Sequence, residues 1–130
     1  MDTVSLRVPR EAGFLSLLHL VLGGIGLRHN LSFDALDDLQ LAVDSILAED
    51  SETLDDLSMG VGIGADSLLI TLEPLRDRDL RSTLEHGQVP AGAESRCIDV
   101  CILLRSLVDG YSVSELEDGA YRVELRKRAG

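Results

Sequence analysis

An uncharged aliphatic run near the amino terminus, AGFLSLLHLVLGGIGL at residues 12–27, restricts the possible folds of this chain more than any other feature. The run is too long for one strand. It is also too short, and too interrupted by His19 and by glycines, for a membrane span. It predicts a well-buried helix from about Ala12 to Leu22 that closes at Gly23 and Gly24.

Length and charge limit the possible classes of function. A chain of 130 residues has the length of one ordinary domain, so we expect a single domain over residues 1–130. Hydrophobic residues make up 45% of the sequence and Trp is absent, so the core must be aliphatic. The formal net charge of −11 argues against binding to nucleic acid or to an anionic membrane surface. A basic protein partner suits this charge better.

The two cysteines, Cys97 and Cys101, predict neither a disulfide framework nor a metal site. With so few cysteines and no export signal, we expect a reducing, cytoplasmic location. The pair lies four residues apart, but a zinc site needs further ligands and none is near in sequence. We therefore interpret both as core cysteines.

Segments whose apolar residues have the spacing of a strand alternate along the chain with segments that have the spacing of a helix. TVSLRVP, at residues 3–9, alternates apolar and polar residues as in a half-buried strand. Ser32 is placed as the N-cap of an amphipathic helix from about Phe33 to Ala48. LSMGVGIGADSLLITLEPL, at residues 57–75, predicts a hairpin. The polar residues from Arg76 to Glu94 lack periodicity and predict a long flexible loop.

The last third of the chain completes the predicted fold. CIDVCILLRSLVDG, at residues 97–110, predicts a buried helix, and residues 111–128 predict a hairpin that turns at Asp118 and Gly119. The resulting order is strand, helix, helix, two strands, long loop, helix, two strands. It predicts an α+β, two-layer α/β sandwich with a mixed or antiparallel sheet of about five strands and three helices on one face.

This order, with DDLQLAV at residues 37–43 in the second helix, resembles the GHKL ATPases, which have the histidine-kinase-like ATPase fold. The resemblance is greatest to their anti-sigma-factor, serine-protein-kinase branch. It covers nearly the whole chain and is best over Leu36–Leu47 and Ile98–Arg126. It implies an ATP site in which a Glu and, four residues later, an Asn point from the second helix into one cleft, to activate the attacking group and to hold Mg²⁺.

The residues at these positions depart from the family pattern. Aligning the family's Ala-Val pair with Ala42 and Val43 places Ser45 at the Glu position, where it cannot act as a carboxylate base, and Glu49 at the Asn position. Glu73 is nearest to the family's adenine-binding Asp, but no glycine follows it. The remnant positions of the nucleotide site are Ser45, Glu49, Glu73 and Arg96.

Arg96 lies in SRCIDVC, residues 95–101, where the family has a glycine-rich phosphate box and this chain has no glycine. The resemblance therefore implies a binding module rather than an enzyme. We expect no catalytic residue, no metal site and no cofactor. The alternative left open is an active ATP-dependent serine-protein kinase that binds Mg²⁺ through Glu49 and adenine through Glu73.

Members of this branch bind a sigma factor or an anti-sigma-factor antagonist, usually as homodimers. The resemblance thus implies a regulator of bacterial transcription that works by partner switching. Asp34, Asp37 and Asp38 predict a docking surface for Lys or Arg of the partner, with a solvated helix face as the alternative. The apolar first helix makes a homodimer plausible. A small α/β adaptor unrelated to GHKL proteins is the remaining hypothesis.

Overall fold

The computed structural model of the protein describes residues 2–50, 53–86 and 95–128. In chain order, its elements are β1 (Asp2–Val8), α1 (Ala12–Arg28), α2 (Phe33–Glu49), β2 (Leu57–Ile63), β3 (Ser67–Leu75), α3 (Arg78–His86), α4 (Ser95–Leu107), β4 (Gly110–Glu115), a 3-10 turn (Glu117–Gly119) and β5 (Tyr121–Arg128). Ser32 caps α2 as predicted, since its hydroxyl accepts a hydrogen bond from the Ala35 amide at 3.1 Å.

The strands form one antiparallel sheet in the order β1-β2-β3-β5-β4. Strands β2 and β3 form the first predicted hairpin, and β4 and β5 form the second. The second turn depends on Asp118 and Gly119, whose φ angles are 57° and 78°. Glycine adopts this left-handed region freely and Asp tolerates it better than most residues do. Both predicted hairpins are confirmed.

The helices cover one face of the sheet. In β2, Leu57, Met59, Val61 and Ile63 are buried, and the residues between them are half-exposed. Aliphatic side chains from all four helices pack with the buried strand residues in one core. The other face presents mostly polar side chains to solvent. The predicted α+β two-layer sandwich is confirmed, with an antiparallel sheet and one helix more than predicted.

Helix α1 is longer than the glycines suggested, because it continues through Gly23 and Gly24 to Arg28. Each glycine lowers helix propensity, but burial of Leu22 and Ile25 on the core side outweighs that loss. Two residues beyond the end of the helix, Asn30 has a φ of 57°, and the Leu31 amide donates to the Gly26 carbonyl at 3.0 Å. Within the described ranges, no helix has the length and apolar composition of a membrane span.

The prediction of a loop from Arg76 to Glu94 is wrong over Arg78–His86, which form α3. The Asp77 carboxylate accepts a hydrogen bond from the Leu80 amide at 2.9 Å and thereby caps the helix. Leu80 and Leu84, one turn apart, are buried in the core. With only two apolar residues in nine, α3 gains its stability from this tertiary packing, which a periodicity analysis of the sequence does not detect. The rest of the predicted loop, residues 87–94, lies outside the described residues.

We expect Leu80→Ala to lower the free energy of unfolding by about 2–5 kcal/mol, because Leu80 is fully buried and the substitution leaves a cavity. Urea denaturation monitored by circular dichroism measures the change. Leu54→Ala is the control, since Leu54 is 93% exposed and its loss should change the free energy by less than about 0.5 kcal/mol. Equal, small effects of the two substitutions would contradict the packing of α3 against the core.

Candidate functional site

The outer face of α2 carries acidic and apolar side chains together. Phe33, Asp37, Leu41 and Asp44 recur every three or four residues, so they lie along the side of the helix away from the core. Phe33 is 83% exposed and Leu41 is 47% exposed. Asp34, in the first turn, is also exposed. This set of five residues, which we call the α2 outer face, combines negative charge with two apolar side chains.

The three predicted partner-binding residues differ in their surroundings. Asp34 and Asp37 are exposed on the α2 outer face. Asp38 is half-buried and lies 3.0 Å from the Lys127 ammonium group. Lys127 also donates to the Leu107 carbonyl at 2.7 Å, so Asp38 helps to join α2 to α4 and β5. Asp38 therefore has a role within the fold, and only Asp34 and Asp37 are displayed for contact.

Ser45 and Glu49 lie one turn apart near the carboxyl end of α2. The Ser45 hydroxyl donates to the Leu41 carbonyl of its own helix at 2.8 Å. Glu49 is the last residue of the helix and is half-buried. Helix α4 packs directly against α2.

Glu73 lies on the other face of the sheet. It pairs with Ser58 in the ladder between β2 and β3, and both alternate with core-facing residues. Its carboxylate accepts a hydrogen bond from the Arg122 guanidinium at 3.1 Å. The sheet therefore separates Glu73 from Ser45 and Glu49. Arg96 lies in the first turn of α4, and its side chain is outside the described part of the structure.

A buried ion pair that is not among the predicted site residues lies at the same end of α2. Asp50, which is 4% exposed, directly follows α2, and its carboxylate lies 3.2 Å from the Arg10 guanidinium. The other carboxylate oxygen accepts hydrogen bonds from the backbone amides of Arg76 and Asp77, each at 3.0 Å. Arg10 also donates to the backbone carbonyls of Asp55 and Pro74.

The ion pair is part of a wider polar network. Arg76 lies 3.0 Å from the Asp55 carboxylate and donates to the Asp118 carbonyl at 2.8 Å. The buried Tyr121 hydroxyl donates to the Asp77 carbonyl at 2.8 Å. Burial lowers the pKa of the Arg10 guanidinium, and the negative charges of Asp50 and Asp55 oppose that shift. Arginine is not deprotonated in proteins, so Arg10 places a positive charge beside the Asp50 carboxylate.

One signal for this network was present in the sequence. Glu49 and Asp50 are acids at the carboxyl end of a helix, where the helix dipole disfavours negative charge. A basic partner from elsewhere in the chain offsets this unfavourable position. Nothing in the sequence identified Arg10 as that partner, because 40 residues separate it from Asp50.

An open cavity of about 550 Å³ lies at the edge of the network. Its lining residues are Arg7, Leu54, Asp55, Asp56, Ser58, Glu73 and Pro74. Charges of both signs line it, and Arg7 pairs with Asp56 at 3.5 Å. In the ranges that the structure describes, no group of three or more His, Cys, Asp or Glu residues is placed to hold a metal ion.

No protein-family model and no curated protein matches this sequence. The fold is similar to that of a chain in the crystal structure of the SiaB-SiaC complex from Pseudomonas aeruginosa, with a TM-score of 0.60. The alignment covers 96% of this chain and 89% of that chain, at 9% sequence identity. A similarity at this identity demonstrates a shared fold.

We expect Arg10→Ala to lower the free energy of unfolding by about 3–5 kcal/mol, because it leaves the Asp50 carboxylate buried without its cation. Arg7→Ala is the matched control. Arg7 also pairs with an aspartate, but its side chain is 75% exposed, so its loss should cost less than about 1 kcal/mol. Urea denaturation of both variants measures the difference, and similar small losses would show that the Arg10 pair does not stabilise the fold.

Proposed function

We propose that this protein is a degenerate GHKL-type domain that binds another protein and does not transfer phosphate. Its partner is a sigma factor or an anti-sigma-factor antagonist in a bacterial partner-switching pathway. The observation that carries the proposal is the α2 outer face, where exposed Asp34 and Asp37 lie beside exposed Phe33 and Leu41. Such a surface suits a partner with Lys or Arg around an apolar patch, because steering by charge and burial of apolar anchors act together.

The arrangement of the remnant positions supports binding over catalysis. The Ser45 hydroxyl is engaged with its own helix, and Glu73 lies on the far face of the sheet in a pair with Arg122. Phosphoryl transfer depends on positioning groups around one phosphate. Groups on two sides of a sheet do not meet this requirement.

The comparison with known structures also supports a protein partner. The similar Pseudomonas aeruginosa chain comes from a complex of two proteins, SiaB and SiaC. A protein partner for this chain is consistent with that assembly. The chain's charge of −11 favours a partner with a basic binding surface.

Thermal unfolding with and without millimolar Mg-ATP separates the binding module from the kinase. We expect no shift of the midpoint. A nucleotide present at about one hundred times its dissociation constant would add about 2.7 kcal/mol, which is several degrees for a chain of this size. A clear rise would contradict the loss of the nucleotide site and would favour the serine-kinase hypothesis. Mg²⁺ with a non-nucleotide polyphosphate is the control for general anion effects.

A pull-down with the tagged full chain, analysed by mass spectrometry, should recover a sigma factor or an anti-sigma-factor antagonist. Its absence from the recovered proteins would overturn the proposed pathway.

With the recovered partner purified, we expect Asp37→Lys to weaken binding about tenfold or more, with a smaller salt dependence. Asp66→Lys is the control, because it makes the same charge change on the exposed turn between β2 and β3. Equal weakening by both variants would exclude the α2 outer face as the binding surface.

A further inference from the structure

A second cavity, of about 300 Å³, lies on the outward side of α3, and we call it the arginine cavity. Leu80 and Leu84 bind α3 to the core from the opposite side of the helix. The four lining residues that belong to α3 recur every three or four positions and so share one helix face. The complete lining consists of Arg76, Arg78, Arg81, Ser82, Glu85 and Gly119.

The charge of the arginine cavity is opposite to that of the whole chain. The chain has a net charge of −11, and 12 of its 130 residues are Lys or Arg. Three of these, Arg76, Arg78 and Arg81, line this one cavity, and Glu85 is the acid among the lining residues that the structure describes. The described lining therefore carries an excess of positive charge. Like charges that converge on a concave surface attract a counter-ion, so the arrangement favours an anionic ligand.

Two of the arginines are held in place by contacts of their own. Arg76 lies 3.0 Å from the Asp55 carboxylate. The guanidinium carbon of Arg81 lies 5.5 Å from the centroid of the Tyr121 ring, and its Nε donates to the Glu85 carboxylate at 2.8 Å. The terminal nitrogens of Arg81 have no partner among the described residues. Side chains that are positioned in advance lose less conformational entropy when a ligand binds.

Arg78 and Ser82 supply polar atoms that no other described residue engages. Arg78 is exposed, and none of the carboxylates that the structure describes forms an ion pair with it. Arg7, Arg10 and Arg122, by contrast, each pair with a carboxylate. The half-buried Ser82 hydroxyl likewise has no hydrogen-bond partner within the described ranges. Both side chains are therefore available as donors to a ligand in the cavity.

These donors suit a phosphate group better than a carboxylate. A guanidinium presents its N–H groups in a planar fork that can bind two oxygens of one anion. A phosphate monoester carries a charge of about −1.5 to −2 at pH 7 and has three acceptor oxygens. It therefore balances three arginines and one glutamate more fully than a singly charged carboxylate does. A volume of about 300 Å³ is at the lower end for small-molecule sites, which favours a small ligand.

We propose that the arginine cavity binds a phosphate group, either free or on a small monoester. Arg78 and Arg81 donate to the phosphate oxygens through their guanidinium groups, and the Ser82 hydroxyl donates to a further oxygen. Arg76 adds positive charge at the side of the cavity.

This site differs from the surfaces and positions described above. The remnant nucleotide positions Ser45 and Glu49 belong to α2, and Glu73 lines the larger cavity on the other face of the sheet. The α2 outer face belongs to a different helix. The inference therefore goes beyond the proposed function and does not rest on it.

The test is a nuclear magnetic resonance titration of the nitrogen-15-labelled full chain, without a partner and at constant ionic strength. The probes are glycerol phosphate, inorganic phosphate and acetate. We expect saturable binding of phosphate, with the largest shifts at the amides around the cavity, and about tenfold or more weaker binding of acetate. No saturable binding of either phosphate probe, or acetate binding of equal strength, overturns the proposal.

Matched arginine variants test the location of the site. Arg78→Ala should weaken phosphate binding about tenfold or more, because it removes a charged donor from an exposed position. Arg28→Ala is the control, since it removes an exposed arginine at the end of α1 and should leave the affinity unchanged. Arg78→Lys restores the charge without the planar fork and should recover only part of the affinity. Equal effects of Arg78→Ala and Arg28→Ala overturn the assignment to this cavity.

The probes also distinguish the sources of the phosphate group. Tighter binding of glycerol phosphate than of inorganic phosphate would assign a monoester, and equal affinities would assign free phosphate. Mg-ATP should not compete, because its terminal phosphate oxygens are bound to Mg²⁺ and its size exceeds that of a small monoester. Mg-ATP binding that is lost in Arg78→Ala would place a nucleotide here and overturn the assignment to a small ligand.

Discussion

The carboxylate of Asp50 lies where the carboxyl end of α2, the segment after β1 and the connection from β3 to α3 meet. It is buried, and it is matched by the Arg10 guanidinium and by the amides of Arg76 and Asp77. A buried charge is tolerated only when its partners are in place. The position of α3 and the orientation of α2 on the sheet therefore depend on one set of polar contacts, while the aliphatic core supplies most of the driving force for burial.

This network also engages polar side chains at the carboxyl end of α2. In the GHKL proteins that the sequence resembles, that end faces a nucleotide. Here the neighbouring carboxylate of Asp50 pairs with Arg10, and the Ser45 hydroxyl donates a hydrogen bond to the Leu41 carbonyl of its own helix. On the exposed side of α2, Asp44 pairs with His19 at 2.8 Å, whereas Asp34 and Asp37 are displayed to solvent. The outward-facing residues of such a helix can change without disturbing the core, because they lie on a different side of the helix from the core-facing residues.

Two surfaces of different character lie side by side on the helical layer. Helix α1 exposes the apolar side chains of Leu20 and Leu27, and α2 exposes the acidic side chains of Asp34 and Asp37. The Gln40 side chain donates to the His19 carbonyl at 3.2 Å, and the His19 ring lies 2.8 Å from the Asp44 carboxylate, so polar contacts hold the two helices together between these surfaces.

The sequence by itself determined the strands, both hairpins and α2, because each depends on a local pattern: alternation, turn residues at Asp118 and Gly119, and a capped helix at Ser32. It also determined the two-layer class, since only one face of each strand is apolar. Only the tertiary structure decided the length of α1, the existence of α3 and the pairing of Arg10 with Asp50. These features depend on contacts between residues far apart in sequence. Local helix propensity underestimates the length of α1 and the stability of α3, and it says nothing about which residues pair across the fold. The separation of Glu73 from Ser45 and Glu49 was likewise decided by the sheet, because strand pairing determines which face a side chain occupies.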